Sequence, residues 1–310
     1  MYKRVLVPLD GSRVAEAILP FIKEIAGSLD MEIFLLRVVS LTPEEVIGVA
    51  PKFAQDTPDA LEQDAQRYLE PRVEEFRARG IRASARVAVG EAASEIVAAA
   101  RQVGADLIAM TTHGRSGLGR LLFGSVAESV LRAAPIPVFL LKMTEEALKA
   151  IGSIGTERIQ VTRILFATDL SDAALAAWPT ARNLATAFEA ELILQHVVPP
   201  LTVQGDFPAE IFSRYWEGAR VEAERELGRL IDAAPGLKTR IRLDEGRAAD
   251  HILRAAAEED VDLIVMGTTG RSGMRRLLLG SVAIEVVRLA PCPVVTVGPA
   301  SQKESESRVA

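Results

Sequence analysis

The chain has 310 residues, 49% hydrophobic and 25% charged, with 36 Lys plus Arg against 42 Asp plus Glu and a net charge of -6. That length suits about two ordinary globular domains and argues against extensive disorder, and the acidic balance argues against a whole-chain nucleic-acid binder, because phosphates demand an excess of cations. One cysteine, Cys292, excludes an internal disulfide and a Cys-rich zinc site, and with no signal-type start and no run of ~18 apolar residues the expectation is a soluble cytoplasmic protein without a membrane partner.

In chain order, Val5 to Leu9 is a short apolar run before Asp10-Gly11-Ser12 and predicts a buried strand. Ser12 predicts the cap of a helix running to about Ser28, with Val14, Ala17, Ile18, Phe21, Ile22 and Ile25 on its apolar side. Ile33 to Val39 predicts a second strand, Pro43 to Pro58 a loop, and the charged stretch 59–79 a surface helix ending near Gly80. Ile81 to Val89 alternates as a strand does, and Gly90 leads into a helix over 91–103. Leu107 to Thr111 predicts a buried strand. A glycine-rich loop follows, then a helix from about Ser125 to Ala134, stopped by Pro135-Ile136-Pro137, and a last strand at Val138 to Leu141.

The second half repeats the first. Residues 106–115 read DLIAMTTHGR and residues 262–271 read DLIVMGTTGR, and the match continues without a gap into the last strand. Upstream, RVLVPLDGS from Arg4 matches RILFATDLS from Arg163. A period this long marks a duplicated domain, not a solenoid. The boundaries read as a first domain over 1–145, a linker over 146–160, a second domain over 161–299 and a disordered tail over 300–310. Strands of the second copy fall near 163–167, 191–197, 239–243, 262–266 and 294–297. Alternating strands and helices predict two doubly wound α/β domains, each with a five-stranded parallel sheet of order 3-2-1-4-5 and helices on both faces. Pro137 and Pro293 enter the final strands, which suits edge strands. Apolar edges invite pairing, either of the two copies within one chain or in a homodimer.

In such a sheet a ligand sits at the carboxyl ends of the strands, where the order reverses between strands one and four. Asp10 and Asp169 end strand one of each copy, and the glycine-rich loops follow strand four, so both features converge there. Bare backbone at Gly267, Gly270 and Gly280 admits phosphate oxygens, Ser281 opens a helix whose amides favour anions, and Arg271, Arg275 and Arg276 bring positive charge. The plain alternative is a tight strand-to-helix connection with solvated arginines. No Gly-Lys-Ser/Thr occurs, so this is not a P-loop. Gly114, Gly117 and Gly119 have the reverse of the dinucleotide spacing and follow the wrong strand.

At these residues the chain resembles the universal stress protein family in its tandem form. The spacing G-x2-G-x9-G-S/T of that family's ATP-binding members matches in full at Gly267, Gly270, Gly280 and Ser281, and at Thr111, Gly114, Gly124 and Ser125 with threonine for the first glycine. The resemblance implies a stress-response protein that binds ATP or a related adenine nucleotide, with little or no hydrolysis and a tendency to dimerise. It implies a nucleotide site in copy two at Thr168, Asp169, Val197, Met266, Gly267, Gly270, Arg271, Gly280, Ser281 and Val282. Its counterpart in copy one is Leu9, Asp10, Val38, Met110, Thr111, Gly114, Arg115, Gly124, Ser125 and Val126. Asp10 and Asp169 take the family's nucleoside contact, and Val38 and Val197 its backbone contact to adenine. Mg is the expected companion of the phosphates. Thr111 sets a β-branched side chain where the family has bare backbone, which counts against ATP in copy one.

Two rivals remain at this level, an interaction scaffold without a nucleotide and a slow ATPase. No carboxylate pair, triad or metal-type spacing stands out, and His113, His196 and His251 are scattered. His113 has Thr269 opposite it in copy two and reads as a polar loop residue, and Cys292, between two prolines, reads as a small buried hydrophobe.

Overall fold

The computed structural model describes residues 2–40, 57–112, 124–143, 160–201, 209–270 and 279–298. The chain divides into two units, Met1–Ile159 and Gln160–Ala310. Most of the linker, the tail and the tips of both glycine-rich loops lie outside the described residues.

Unit 1 runs β1 (Arg4–Pro8), α1 (Arg13–Glu16), α2 (Leu19–Leu29), β2 (Glu32–Val39), α3 (Thr57–Arg77), β3 (Ala83–Val89), α4 (Ala92–Gln102), β4 (Leu107–Thr111), α5 (Ser125–Ala133) and β5 (Val138–Leu141). Unit 2 repeats the plan as β6 (Arg163–Ala167), α6 (Asp172–Leu175), α7 (Trp178–Phe188), β7 (Glu191–Val198), α8 (Ala209–Asp232), β8 (Thr239–Glu245), α9 (Ala248–Glu258), β9 (Leu263–Gly267), α10 (Ser281–Leu289) and β10 (Val294–Val297). Strand order within the units is β3-β2-β1-β4-β5 and β8-β7-β6-β9-β10, the order anticipated from the sequence. β1 pairs in parallel with β2 and β4, and β6 with β7 and β9.

The inner strands are buried on both faces. β4 and β9 are buried at every residue, and Ile33, Leu35 and Leu36 in β2 are fully enclosed. Each such side chain contributes about 1.5–3 kcal/mol through lost water contact, which explains the near-continuous apolar runs. Phe166 at the centre of unit 2 packs on Trp178, with ring centroids 5.6 Å apart.

The single helix expected from Ser12 to Ser28 is two helices. Ser12 does cap the first, its Oγ accepting from Ala15 N at 3.1 Å, but α1 ends at Glu16 and α2 starts at Leu19. Pro20 accounts for the break: it has no N–H for the carbonyl of Glu16, and its ring would strike that carbonyl. Pro179 splits α6 from α7 at the same place.

Cys292 precedes β10 and is partly exposed. Burial first, then the Asp262 carboxylate, push its thiol pKa up to about 12. The thiolate is the nucleophile, so the folded protein is expected to resist a thiol reagent such as Ellman's reagent at pH 8, and to release one equivalent of chromophore once unfolded in guanidinium. Fast reaction of the folded protein contradicts the raised thiol pKa.

Candidate functional site at the carboxyl ends of the strands

Past β1 and β6 the chain leaves the sheet through the same turn. Asp10 Oδ1 accepts from Ser12 N at 2.9 Å and Ser12 Oγ at 2.6 Å. Asp169 Oδ1 accepts from Ser171 N at 3.0 Å and Ser171 Oγ at 2.5 Å. Each serine in turn caps α1 or α6, Ser171 through Ala174 N at 3.3 Å. Aspartate is thus the keystone of each turn, as its short acceptor favours, and in unit 2 the second oxygen, Asp169 Oδ2, lies against Gly270 of the glycine loop. The turn needs a left-handed residue after the aspartate, supplied by Gly11 (φ 84°) and by Leu170 (φ 63°).

The carbonyl just before each aspartate is held by a β-strand side chain. Arg37 Nη1 donates to Leu9 O at 3.2 Å. In unit 2 the buried His196, inside β7, places Nδ1 2.9 Å from Thr168 O. A carbonyl can only accept, so Nδ1 carries the proton. Neither contact is visible in the sequence as a motif.

Each unit has a cavity at this point of about 290 Å3, at the lower end of the small-molecule range. Every described residue of the expected site lines it. In unit 2 these are Thr168, Asp169, Val197, Met266, Gly267, Gly270, Gly280, Ser281 and Val282. In unit 1 they are Leu9, Asp10, Val38, Met110, Thr111, Gly124, Ser125 and Val126. Gly114, Arg115, Arg271, Arg275, Arg276 and His113 lie outside the described residues. The sequence reading did not bring the fourth helix of each unit, α4 or α9, to the site, where it lines the cavity with Ala92 and Ile96 or Ala248 and Ile252. Their four-residue spacing on an amphipathic helix was the available signal. It also missed Gln195, in the middle of β7.

The glycines of the second loop do different jobs. A Cβ on Gly270 would overlap Asp169 Oδ2 and stand 3.1 Å from Asp169 Cγ. Bare backbone here lets the strand-one carboxylate lie against the loop. A Cβ on Gly267 would meet Ala174 Cα at 3.0 Å and Ala173 O at 3.2 Å, so that glycine serves the approach of α6 to β9. Thr111, its counterpart, is buried, and the unit 1 cavity keeps the same volume with Thr111 in its wall.

Gly124 and Gly280 are the N-caps of α5 and α10, and neither helix has a side-chain cap. The first amides of both helices are thus left without a side-chain oxygen from the cap, while Ser12, Ser171 and Glu91 supply one to α1, α6 and α4. Unsatisfied amides with the positive end of a helix dipole suit an anion. The chemistry available is an anion cradle with a carboxylate acceptor, beside an apolar slot under Val197, Met266 and Ile252. These residues fit a nucleotide. Among the described residues no group of three or more His, Cys, Asp or Glu is placed to hold a metal, and no helix is long and apolar enough to cross a membrane.

Behind the unit 2 cavity, Gln195 Nε2 donates to Asp244 Oδ2 at 2.8 Å and His251 O at 3.1 Å. Arg242 Nε donates to the same Asp244 oxygen at 3.0 Å. Burial works against the charged Asp244, but hydrogen bonds from Gln195 and Arg242 and the charges of Arg242 and His251 outweigh it and hold its pKa below the usual value.

A doubly wound domain with a glycine-capped cradle at its topological switch point, present twice, is the class that fold and site define. The universal stress protein family matches over residues 1–142 and again over 160–298, and the chain belongs to that family in a tandem arrangement. It is 36% identical over 138 residues to a universal stress protein of Methanocaldococcus jannaschii, covering 44% of this chain and 81% of the relative. A relative from Mycolicibacterium smegmatis is 26% identical over 305 residues, covering 95% of this chain and 97% of its own length. The crystal structure of a universal stress protein from Archaeoglobus fulgidus superposes with a TM-score of 0.69 at 25% identity, covering 95% of this chain and 98% of that one.

Proposed function

We propose that the protein binds ATP or a related adenine nucleotide in the unit 2 cavity and acts as a nucleotide-dependent regulatory protein in a stress response, not as a fast enzyme. One observation carries this reading: Asp169, Gly270 and the uncapped start of α10 border one cavity although the sequence separates them by about a hundred residues. The ligand's phosphates would lie on the Gly270–Ser281 loop, accompanied by Mg, its sugar by Asp169 and its base beneath Val197. The unit 1 cavity, with Asp10, Gly124 and Ser125, is a second candidate site. A homodimer belongs to the same proposal, with the nucleotide altering the shared surface, and is read from the molar mass in solution with and without ATP.

The test is to denature the purified protein and analyse the released small molecules by anion exchange and mass spectrometry, then titrate nucleotide-free protein with ATP and magnesium. One adenine nucleotide per chain supports binding at unit 2 alone, and two support both units. No released nucleotide together with no binding in the titration overturns the proposal and leaves an interaction scaffold.

A further inference from the structure

The last backbone bond from each strand-one turn to the neighbouring strand runs from Leu9 N to Leu36 O at 2.8 Å and from Thr168 N to Gln195 O at 3.0 Å. The carbonyl of the same residue then accepts from a side chain, Arg37 Nη1 in unit 1 and His196 Nδ1 in unit 2. These donors share one position. Leu36 pairs in register with Pro8 and Gln195 with Ala167, and the donor is the next residue in each strand. Among the described residues neither carbonyl accepts another hydrogen bond. Leu9 and Thr168 are buried, so loss of the donor strands a buried acceptor, which is costly. The two copies thus differ in residue, a guanidinium against an imidazole, and agree in what that residue holds.

Each carbonyl belongs to the peptide plane that carries the amide of Asp10 or Asp169. Fixing its oxygen fixes the plane from which the aspartate side chain departs. In unit 2 that side chain has little slack, because Oδ1 is taken by Ser171 and Oδ2 lies against Gly270. Thr168 and Asp169 both line the unit 2 cavity, as Leu9 and Asp10 line that of unit 1. Resting on the nucleotide reading above, we propose that His196 and Arg37 are positioning residues of the two cavities. Each aims the strand-one aspartate at the ligand by holding the carbonyl before it. The site requires a donor at that point and not a particular side chain. Such support of a binding group by a residue behind it is what keeps its geometry productive.

The experiment is calorimetric titration of the full chain with ATP and magnesium, with urea unfolding of the same proteins. His196→Leu removes the donor. His196→Asn keeps one, since an asparagine amide nitrogen falls near the place of a histidine Nδ1. ATP affinity at unit 2 is expected to drop about tenfold or more in His196→Leu and to stay within about threefold of wild type in His196→Asn. His196→Met gives the same reading if His196→Leu does not fold, and if neither folds, Arg37→Met against Arg37→Lys is read at unit 1 in the same way. A donor that serves the fold alone lowers the urea midpoint and leaves the affinity of the folded protein unchanged. That result in a folded variant without the donor overturns the proposal, as does a folded His196→Asn protein that binds as weakly as His196→Leu. In both cases the wild-type protein still binds ATP and the nucleotide reading stands, whereas no binding by the wild-type protein overturns both.

Discussion

Gly280→Val is expected to weaken ATP binding at unit 2 by at least about a hundredfold while leaving unit 1 unchanged. Gly280 has φ -65° and ψ 143°, an extended conformation open to any residue, so the backbone itself does not forbid valine. The obstacle is space. A Cβ at Gly280 stands 3.1 Å from Thr268 O, the carbonyl to which Gly280 N donates at 2.8 Å. Two methyl groups beyond that Cβ push the loop away from β9 and cover the first amides of α10, the groups proposed to hold the phosphates. Stability should fall by only about 1 kcal/mol, the cost of a poor N-cap, because α10 still packs through Ala283, Val286 and Val287. The readouts are therefore separable: isothermal titration for affinity, urea unfolding for stability. Gly124→Val is the matching change in unit 1, where Gly124 N donates to Thr112 O at 2.9 Å, and it should remove only sites that unit 1 contributes. Unchanged ATP affinity in a folded Gly280→Val protein refutes the placement of the phosphates.

The sheet was legible because buried parallel strands must be apolar throughout. Leu107–Thr111 and Leu263–Gly267 carry that signature without interruption, and the duplication repeats each strand. The convergence of Asp169 with the glycine loop was legible from strand order alone, since only one gap in a 3-2-1-4-5 sheet lies between oppositely directed connections. The break between α1 and α2 was masked because Ala17 and Ile18 continue the apolar face across it, while Pro20, the actual cause, falls on the same periodicity. Gln195 escaped notice because one polar residue inside an apolar strand has no periodic signature. Its meaning lies in Asp244 and the His251 carbonyl, about fifty residues away in sequence. Thr111 was legible as a departure from the family spacing, but its consequence was not. The missing Cβ of Gly267 faces Ala174 in α6, and helix approach is a tertiary quantity that spacing does not encode.

Asp169 and Gly270 should behave as one unit in a double-mutant cycle. Gly270→Ala puts a Cβ on top of Asp169 Oδ2, so either the carboxylate or the loop must move. The carboxylate cannot swing freely, because its other oxygen accepts from Ser171 N and Ser171 Oγ, and that serine caps α6. Displacing it strains the whole turn, including Leu170 in its left-handed conformation. We expect Gly270→Ala to lower stability by about 1–3 kcal/mol, in the range of overpacked sites, and to weaken ATP binding about tenfold or more by spoiling both sides of the cradle. Asp169→Ala alone removes the two turn hydrogen bonds at a cost of about 1–2 kcal/mol. In the double variant the clash has no partner, so adding Gly270→Ala to Asp169→Ala should cost less than about 0.5 kcal/mol beyond the first change. Urea unfolding of the four proteins measures the coupling. A strongly non-additive cycle means that Gly270 is glycine because the carboxylate leans on it, and that the strand-one aspartate and the loop after strand four form a single site. Additive losses mean that the carboxylate does not occupy that position, and the candidate site then loses the contact that joins its two halves.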